Sequence, residues 1–524
     1  MFRILVSDPI DAEGLNPIRQ NKNFELLETK NLNGSISDIE AWLVRSETKI
    51  TKEKIEKAKK LKLIGRAGTG VDNIDVEEAT RRGILVMNVP GANAIAVAEH
   101  VFALTLSLLR KIPAADKIVK EGGWRDKTLG GGELYGKTLG ILGLGRVGKE
   151  VAQRARAFQM EILSYDPFVN SQRAGDLGIR MVSQEELLRK ADILTIHVPL
   201  TSSTQNLISE KTIEIMKKGA VIINTSRGEV IDEKALAKAL QDGKIAGAAL
   251  DVFAKEPPQG SPLLNLKDQV ILTPHLAGST KETQKRVAKE LAQSVVDYFE
   301  RGLVRGGVNL PPEFEPEILD RLGRHLALTE RLGRFLGQTL PGAWNKLMIS
   351  TTTRFTEKDQ KVLLHGALRG LLACALGDKV NVVNAAFYAK ERNIQSEVKF
   401  LDESAQPIEE ISLLIQENGK TASVSGRVEA TGELRIVQIG KLFVDVDPEG
   451  TLIVIDNIDK PGMIGKVGTL LGAKKINIAD MRVGRQKKGE AAIMVLTVDS
   501  EIPKATLEAL KKVDGVTRVC QVSL

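Results

Sequence analysis

Cysteine is nearly absent from this 524-residue chain: Cys374 and Cys520 stand alone, neither in a C-x-x-C pair nor beside a histidine cluster. That excludes a disulfide scaffold, leaves no ligand pattern for a structural metal, and fits a reducing cytoplasm. Aromatic residues are 4% of the chain, and the net charge of +7, from 74 basic and 67 acidic residues, is a weak excess for such a length. Without stacking platforms or a dense basic stripe, nucleic acid is excluded as a main ligand. Long apolar runs are missing too. Residues 1–6 run into Ser7-Asp8-Pro9, too short a stretch for a signal peptide. The most apolar segment, residues 94–109, is interrupted by Glu99 and His100. It falls short of the ~20 residues a membrane span needs. No membrane partner is expected, and the reading is cytoplasmic.

What is present is an ordinary globular composition, 42% apolar and 27% charged. At roughly 150 residues per domain the length implies three or four domains. The first 300 residues alternate short β-branched runs (residues 4–6, 41–44, 63–64, 84–87, 139–142, 162–165, 193–197, 221–224, 247–252 and 270–273) with helically spaced segments. This is a βαβ pattern and implies α/β architecture with parallel sheets. One extended helix is expected over residues 94–121, ended by Gly122-Gly123, and another over 281–301, ended by Gly302. The two bracket the block holding the motif described next, so that block reads as a domain inserted into another. Gly306, Gly307, Pro311, Pro312 and Pro316 break the pattern over residues 305–316, and a second break falls at Asp447-Pro448-Glu449-Gly450. Both read as linkers and candidate hinges.

Residues 138–148 carry Gly143-x-Gly145-x-x-Gly148 after an apolar strand and before a helix over 149–158. The first glycine permits the tight turn, the second lets backbone approach a pyrophosphate, and the third allows close helix–strand packing. The next strand ends in Asp166, 18 residues after Gly148. A carboxylate there accepts hydrogen bonds from both ribose hydroxyls and repels a 2′-phosphate, which favours NAD over NADP.

In open parallel sheets ligands collect beyond the carboxyl ends of the strands. Past three successive strands lie Thr225-Ser226-Arg227-Gly228, Ala254-Lys255-Glu256-Pro257-Pro258 and Pro274-His275. The set suits hydride transfer at a hydroxyl carbon. Neutral His275 accepts the hydroxyl proton, Glu256 fixes its tautomer, and Arg227 presents a planar fork to a substrate carboxylate. Arg45 and Arg66 end two strands of the outer domain. Two guanidiniums exceed what one carboxylate needs and suit a phosphate.

The stretches Gly65-Arg-Ala-Gly-Thr-Gly-Val-Asp-Asn73, the glycine fingerprint, Asn224-Thr-Ser-Arg-Gly-Glu-Val230, Leu250-Asp-Val-Phe-Ala-Lys-Glu-Pro-Pro258 and Thr273-Pro-His-Leu-Ala-Gly278 together resemble the D-isomer-specific 2-hydroxyacid dehydrogenase family. The resemblance covers residues 1–300. It implies a Rossmann-type NAD-binding domain (96–278) inserted in a flavodoxin-like substrate domain (1–95 and 279–308). It puts Arg227, Glu256 and His275 in the roles above. It adds Thr69, Arg146, Val147, Asp251 and Gly278 to the cofactor contacts, with Thr225 and Ser226 counted beside them. It places Arg45 and Arg66 in recognition of 3-phosphoglycerate. Lys127, in the glycine-flanked loop over residues 124–132, is read apart from the resemblance as a further cation from a partner subunit. The implied reaction is NAD-dependent oxidation of D-3-phosphoglycerate to 3-phosphooxypyruvate, the first step of L-serine synthesis.

Residues 452–524 read strand-helix-strand-strand-helix-strand with Pro461-Gly462 after the first strand, and resemble an ACT domain, a ferredoxin-like small-molecule sensor. Asn457, Asp459 and Asn477 match its effector positions, which implies an amino-acid effector, L-serine, bound between paired copies in a homotetramer. Residues 309–447, where only a helix over 366–376 and strands over 434–439 and 441–446 stand out, resemble the α+β intervening domain of long-form members. Two other functions share the motifs. A glyoxylate or hydroxypyruvate reductase has no need of the last 200 residues, and an NAD-sensing corepressor has no need of the third and sensor domains.

Overall fold

The apolar runs separated by helical spacing form two parallel sheets, as their burial on both faces requires. The computed structural model describes residues 1–28, 36–124, 127–169, 174–175, 177–266, 269–311, 313–314, 316–400, 409–417 and 419–524. In the first sheet the strands lie in the order Phe24–Glu28, Phe2–Val6, Ala41–Val44, Leu63–Arg66, Leu85–Met87. This 2-1-3-4-5 sequence is the flavodoxin-like order. The second sheet runs Val270–Leu272, Ile245–Leu250, Ala220–Asn224, Ile193–Ile196, Thr138–Leu142, Glu161–Tyr165, Arg180–Met181. Its order reverses between Ile193–Ile196 and Thr138–Leu142, and the glycine fingerprint follows Leu142 at that switch point.

Helix Lys281–Arg301 returns the chain from the second sheet to the first, burying Val287, Leu291 and Val295 against it. Gly302 closes the helix in the left-handed conformation, φ 68°. The single helix expected over 94–121 is two, Ala94–Leu109 and Ile112–Lys120, with Lys111 left-handed between them. Pro113 is the reason: in a continuous helix its ring would press on the Leu109 carbonyl one turn back. The strand expected over 247–252 is Ile245–Leu250, because Asp251 leaves the ladder and turns under the site. Strands Phe24–Glu28 and Arg180–Met181, at sheet edges, carry too little apolar pattern to be read from sequence.

The third sheet is mixed: Gln395–Phe400, Lys346–Thr351, Glu410–Glu417, Lys420–Val428, Leu434–Ile439, Leu442–Val446, with only the first pair parallel. Helices Pro316–Thr339 and Glu357–Leu376 pack with it. The fourth is antiparallel, in the order Ile478–Arg485, Ala491–Val498, Thr451–Ile458, Val516–Ser523, with helices Met463–Ala473 and Lys504–Lys511 on one face. Its other face, through Leu452, Val454, Ile493 and Val495, joins Leu332, Phe335 and Leu336 in one core with the third sheet.

Neither break in the sequence hangs free. Gly307 bridges to Met87, and Val86 N–H donates to Asn309 Oδ1 at 2.8 Å. Pro312 lies outside the described residues. Beyond residues 447–450, the Gln338 amide exchanges two hydrogen bonds with the Ser523 backbone. Among the described residues no helix is long and apolar enough to cross a membrane.

Candidate active site

Strand Thr138–Leu142 ends at Gly143 with φ 94°, and a Cβ there would lie 2.6 Å from the His197 carbonyl oxygen. A Cβ on Gly148 would lie 2.3 Å from the Gly143 carbonyl oxygen, so helix Arg146–Ala157 can cross the strand this closely only with glycine. Around Gly145, the N-cap of that helix, there is open space on the Cβ side. Two glycines thus serve the turn and its packing, and the third leaves room for a phosphate at the helix N-terminus. Asp166, at the end of strand Glu161–Tyr165, accepts from Leu144 N–H (2.8 Å) and Phe168 N–H (2.9 Å). Its carboxylate is held beside the turn. Arg146, at the start of the helix with Val147, donates to the Pro90 carbonyl. Thr69 donates to Asn93 Oδ1 at 3.2 Å, and Gly278 packs on the same Asn93. Thr225 Oγ1 is buried without a hydrogen-bond partner among the described residues. An orphaned hydroxyl and an open glycine cradle at one sheet edge fit a dinucleotide.

Three neighbouring strands of the same sheet deliver the reactive side chains. After Ala220–Asn224, the Asn224 side chain accepts from Ser226 N–H (3.0 Å) and donates to the Arg227 carbonyl (2.9 Å), shaping the turn that presents Arg227. After Ile245–Leu250, Glu256 accepts from Phe253 N–H through one oxygen (3.2 Å) and meets His275 Nδ1 at 2.9 Å through the other. A carboxylate only accepts, so Nδ1 carries a proton, and in the neutral ring the lone pair is on Nε2.

His275 itself is left-handed, φ 54°. Asp251, fully buried, holds it there: its carbonyl accepts from His275 N–H (2.9 Å), and its carboxylate accepts from Leu276 and Ala277 N–H, both at 2.8 Å, and from the Thr273 hydroxyl. His100 Nε2 lies 3.4 Å from the same carboxylate. Burial opposes ionisation of Asp251, but the His100, Thr273 and backbone donors outweigh it and keep its pKa below the ordinary value. Asp251 therefore sits beneath the His275 turn.

The cleft between the two sheets has a volume of about 380 Å³ and is lined by Arg45, Arg66, Thr69, Thr225, Ser226, Arg227, Glu256, His275 and Gly278, among others. Arg227 reaches across it to Asp72 at 3.2 Å, and Arg45 reaches to Ser279 Oγ at 3.5 Å. Arg66 donates through Nε to the Arg45 carbonyl at 3.2 Å. Burial, then the neighbouring Arg227 and Arg45 charges, lower the Arg66 pKa against the pull of Asp72 and Asp8. An enclosed guanidinium with two more beside it marks a wall short of anions. Lys127, exposed on the short turn Lys127–Leu129, does not line the cleft.

In the fourth sheet, Asn457 is buried, with Oδ1 unpartnered among the described residues. Nearby Asp459 accepts from Gly489 N–H (3.1 Å) and Arg485 (2.8 Å), which lower its pKa in that order. Asn477 instead donates to Asp499 at 2.7 Å, at the far end of the eight-residue strand Ala491–Val498. That strand length separates it from Asp459 by roughly 25 Å. One copy of the chain brings Asn457 and Asp459 together and leaves Asn477 apart.

Sequence reading missed Asp8, Asn73, Asn93 and Asn224, all of which shape the cleft through hydrogen bonds. Asp8 lies just past strand Phe2–Val6, so reading strand ends in the first sheet as in the second would have found it; Asn73 lies farther along the loop after Leu63–Arg66.

Comparison with known proteins gives the family. Residues 102–277 match the D-isomer specific 2-hydroxyacid dehydrogenase NAD binding domain. Residues 321–440 match the D-3-phosphoglycerate dehydrogenase intervening domain, and 451–515 the ACT domain. The D-3-phosphoglycerate dehydrogenase of Archaeoglobus fulgidus is 41% identical over 530 aligned positions, covering 100% of both chains. That of Methanocaldococcus jannaschii is 40% identical, also over 100% of both. Among solved structures, a D-lactate dehydrogenase from Aquifex aeolicus, complexed with NAD and lactic acid, is 32% identical with TM-score 0.50, covering 57% of this chain and 96% of that one. On full-length identity and matched domains, the chain belongs to the D-3-phosphoglycerate dehydrogenase family.

Proposed function

We propose that the chain oxidises D-3-phosphoglycerate to 3-phosphooxypyruvate with NAD, the first step of L-serine synthesis. The observation that carries this reading is the His275–Glu256 pair, 2.9 Å apart, facing a cleft walled by Arg45, Arg66 and Arg227. Full-length relatives bearing the name of that enzyme support it. His275 Nε2 takes the proton from the substrate hydroxyl, and the Glu256 carboxylate stabilises the imidazolium that results. Arg227 holds the substrate carboxylate and polarises the reacting carbon's oxygen. Arg45 and Arg66 hold the phosphate. NAD bound in the glycine cradle would supply the acceptor for the hydride from the carbinol carbon. Gly143, Gly145, Arg146, Val147 and Gly148 would hold its pyrophosphate, Asp166 its ribose, and Thr69, Thr225, Ser226 and Gly278 the part of it nearest His275. Asp251 serves from below, by fixing the His275 turn. Incubation with D-3-phosphoglycerate and NAD should yield NADH and 3-phosphooxypyruvate in equal amounts by NMR; NADH without that product would refute the reaction.

Asp166→Ala should raise the KM for NAD by on the order of tenfold and narrow the preference over NADP, because it removes both the ribose acceptor and the brace on Leu144 N–H. Initial rates with both cofactors measure this. Equal use of NAD and NADP by the unaltered enzyme would contradict the role given to Asp166.

L-serine is the effector read for the fourth sheet. Asp459 meets its ammonium, and Asn457 and Asn477 its carboxylate. Because Asn477 lies at the opposite end of the sheet from Asp459, a site using both needs two copies, and a homotetramer supplies them. Serine should bind the intact chain by calorimetry and fail to bind Asp459→Ala, with a coupling to the active site of ~1–3 kcal/mol. No binding to the intact chain would remove the serine site. Binding without a rate change would remove the regulation.

A further inference from the structure

The turn that carries Arg45 is tied on both sides by two side chains that do not line the cleft. Asp8, just past strand Phe2–Val6 and 5% exposed, accepts the backbone N–H of Arg45 (2.6 Å), Glu47 (3.2 Å) and Thr48 (3.0 Å), together with the Thr48 hydroxyl. From the other side Asn73 Nδ2 donates to the carbonyls of Arg45 (3.0 Å) and Thr48 (2.7 Å). Arg66 Nε adds a bond to the same Arg45 carbonyl at 3.2 Å. One carboxylate thus collects the turn's donors and one amide its acceptors. A buried carboxylate that accepts several N–H groups fixes backbone firmly, since any other arrangement strands a charge away from water. What the turn presents to the cleft is Arg45 and Ser46, opposite Ser279 at the start of the segment after His275.

We propose that Asp8 and Asn73 are positioning residues for the phosphate end of the substrate: they set the height of Arg45 beside Arg66 and so determine the preference for a phosphorylated hydroxy acid. This rests on the reading of Arg45 as a phosphate ligand. Neither residue touches the His275–Glu256 pair, so they act on substrate binding and leave the chemical step alone.

In Asp8→Asn one acceptor oxygen becomes a donor facing the turn's N–H groups. The ratio of kcat/KM for D-3-phosphoglycerate to that for D-glycerate should fall about tenfold, as expected for loss of one charge-assisted hydrogen bond, through KM and with kcat nearly constant. Asn73→Ser reads the same turn from its other side should Asp8→Asn fail to fold, and should lower the same ratio. The discriminating arm is the pair of variants combined. In an Arg45→Ala background Asp8→Asn should produce no further change in the ratio, because the group it positions is gone. Equal losses on both substrates, or a full additional loss in the Arg45→Ala background, would overturn the proposal by making Asp8 a general stabiliser of the fold. An Arg45→Ala variant with unaltered preference for the phosphorylated substrate would instead overturn the assignment of Arg45 to phosphate, and this proposal with it.

Discussion

Replacing His275 by Ala should lower kcat by on the order of 10²-fold or more while leaving the Kd for NAD within a few-fold. The asymmetry follows from geometry. His275 is the group whose free nitrogen faces the cleft, with its other nitrogen held by Glu256 at 2.9 Å. Removing it leaves no base for the hydroxyl proton. The glycine turn at Gly143 and the Asp166 carboxylate are built from other strands and keep their places. The backbone at His275 has φ 54°, an unfavourable conformation for any residue but glycine, and it is imposed by the Asp251 bonds to residues 275–277. Those bonds are to backbone and survive the substitution. Stopped-flow turnover and fluorescence titration of NAD separate the two quantities, and near-normal turnover would remove His275 as the base.

Arg66→Ala should raise the KM for D-3-phosphoglycerate by on the order of 10²-fold, and that for an unphosphorylated hydroxy acid far less. A guanidinium on a phosphate makes charge-assisted hydrogen bonds of roughly 1.5–3 kcal/mol each, and a paired fork stands at the upper end. Arg66 is enclosed in the cleft wall, its pKa lowered first by burial and then by Arg227. A phosphate beside it relieves that repulsion, which a neutral hydroxymethyl group cannot. Arg45→Ala should act in the same direction. Equal losses on both substrates would mean that these residues hold the carboxylate or the fold.

The two parallel sheets and the residues at their strand ends were legible because a buried parallel strand is an apolar run and the chemistry sits just beyond it. Gly143, Asp166, Arg227, Glu256 and His275 all follow that rule. The third sheet was largely hidden. Its strand Glu410–Glu417 carries a period-two signal in Ile411, Leu413 and Ile415, each fully buried, but Leu414 on the other face turns it into a short apolar run over 413–415 and blurs the alternation. Helix Pro316–Thr339 contains Gly333, whose Cβ would lie 2.2 Å from the Ala367 carbonyl oxygen of helix Glu357–Leu376. Glycine there argues against a helix locally, yet close helix packing demands it. Likewise the break at Asp447-Pro448-Glu449-Gly450 marks a change of sheet, whereas the core shared by Val454, Val495 and Phe335 is invisible to a local pattern. The hydrogen bonds of Asp8 and Asn73 are non-local in the same way, joining residues 25 to 40 positions apart.

The most direct test of the account is the initial rate of NAD reduction with D-3-phosphoglycerate, D-glycerate and D-lactate under one set of conditions. An arginine-walled cleft beside the His275–Glu256 pair predicts a kcat/KM for D-3-phosphoglycerate above the other two by on the order of 10²-fold, the worth of about 3 kcal/mol of phosphate contacts. D-glycerate or D-lactate turned over as efficiently as D-3-phosphoglycerate would contradict it.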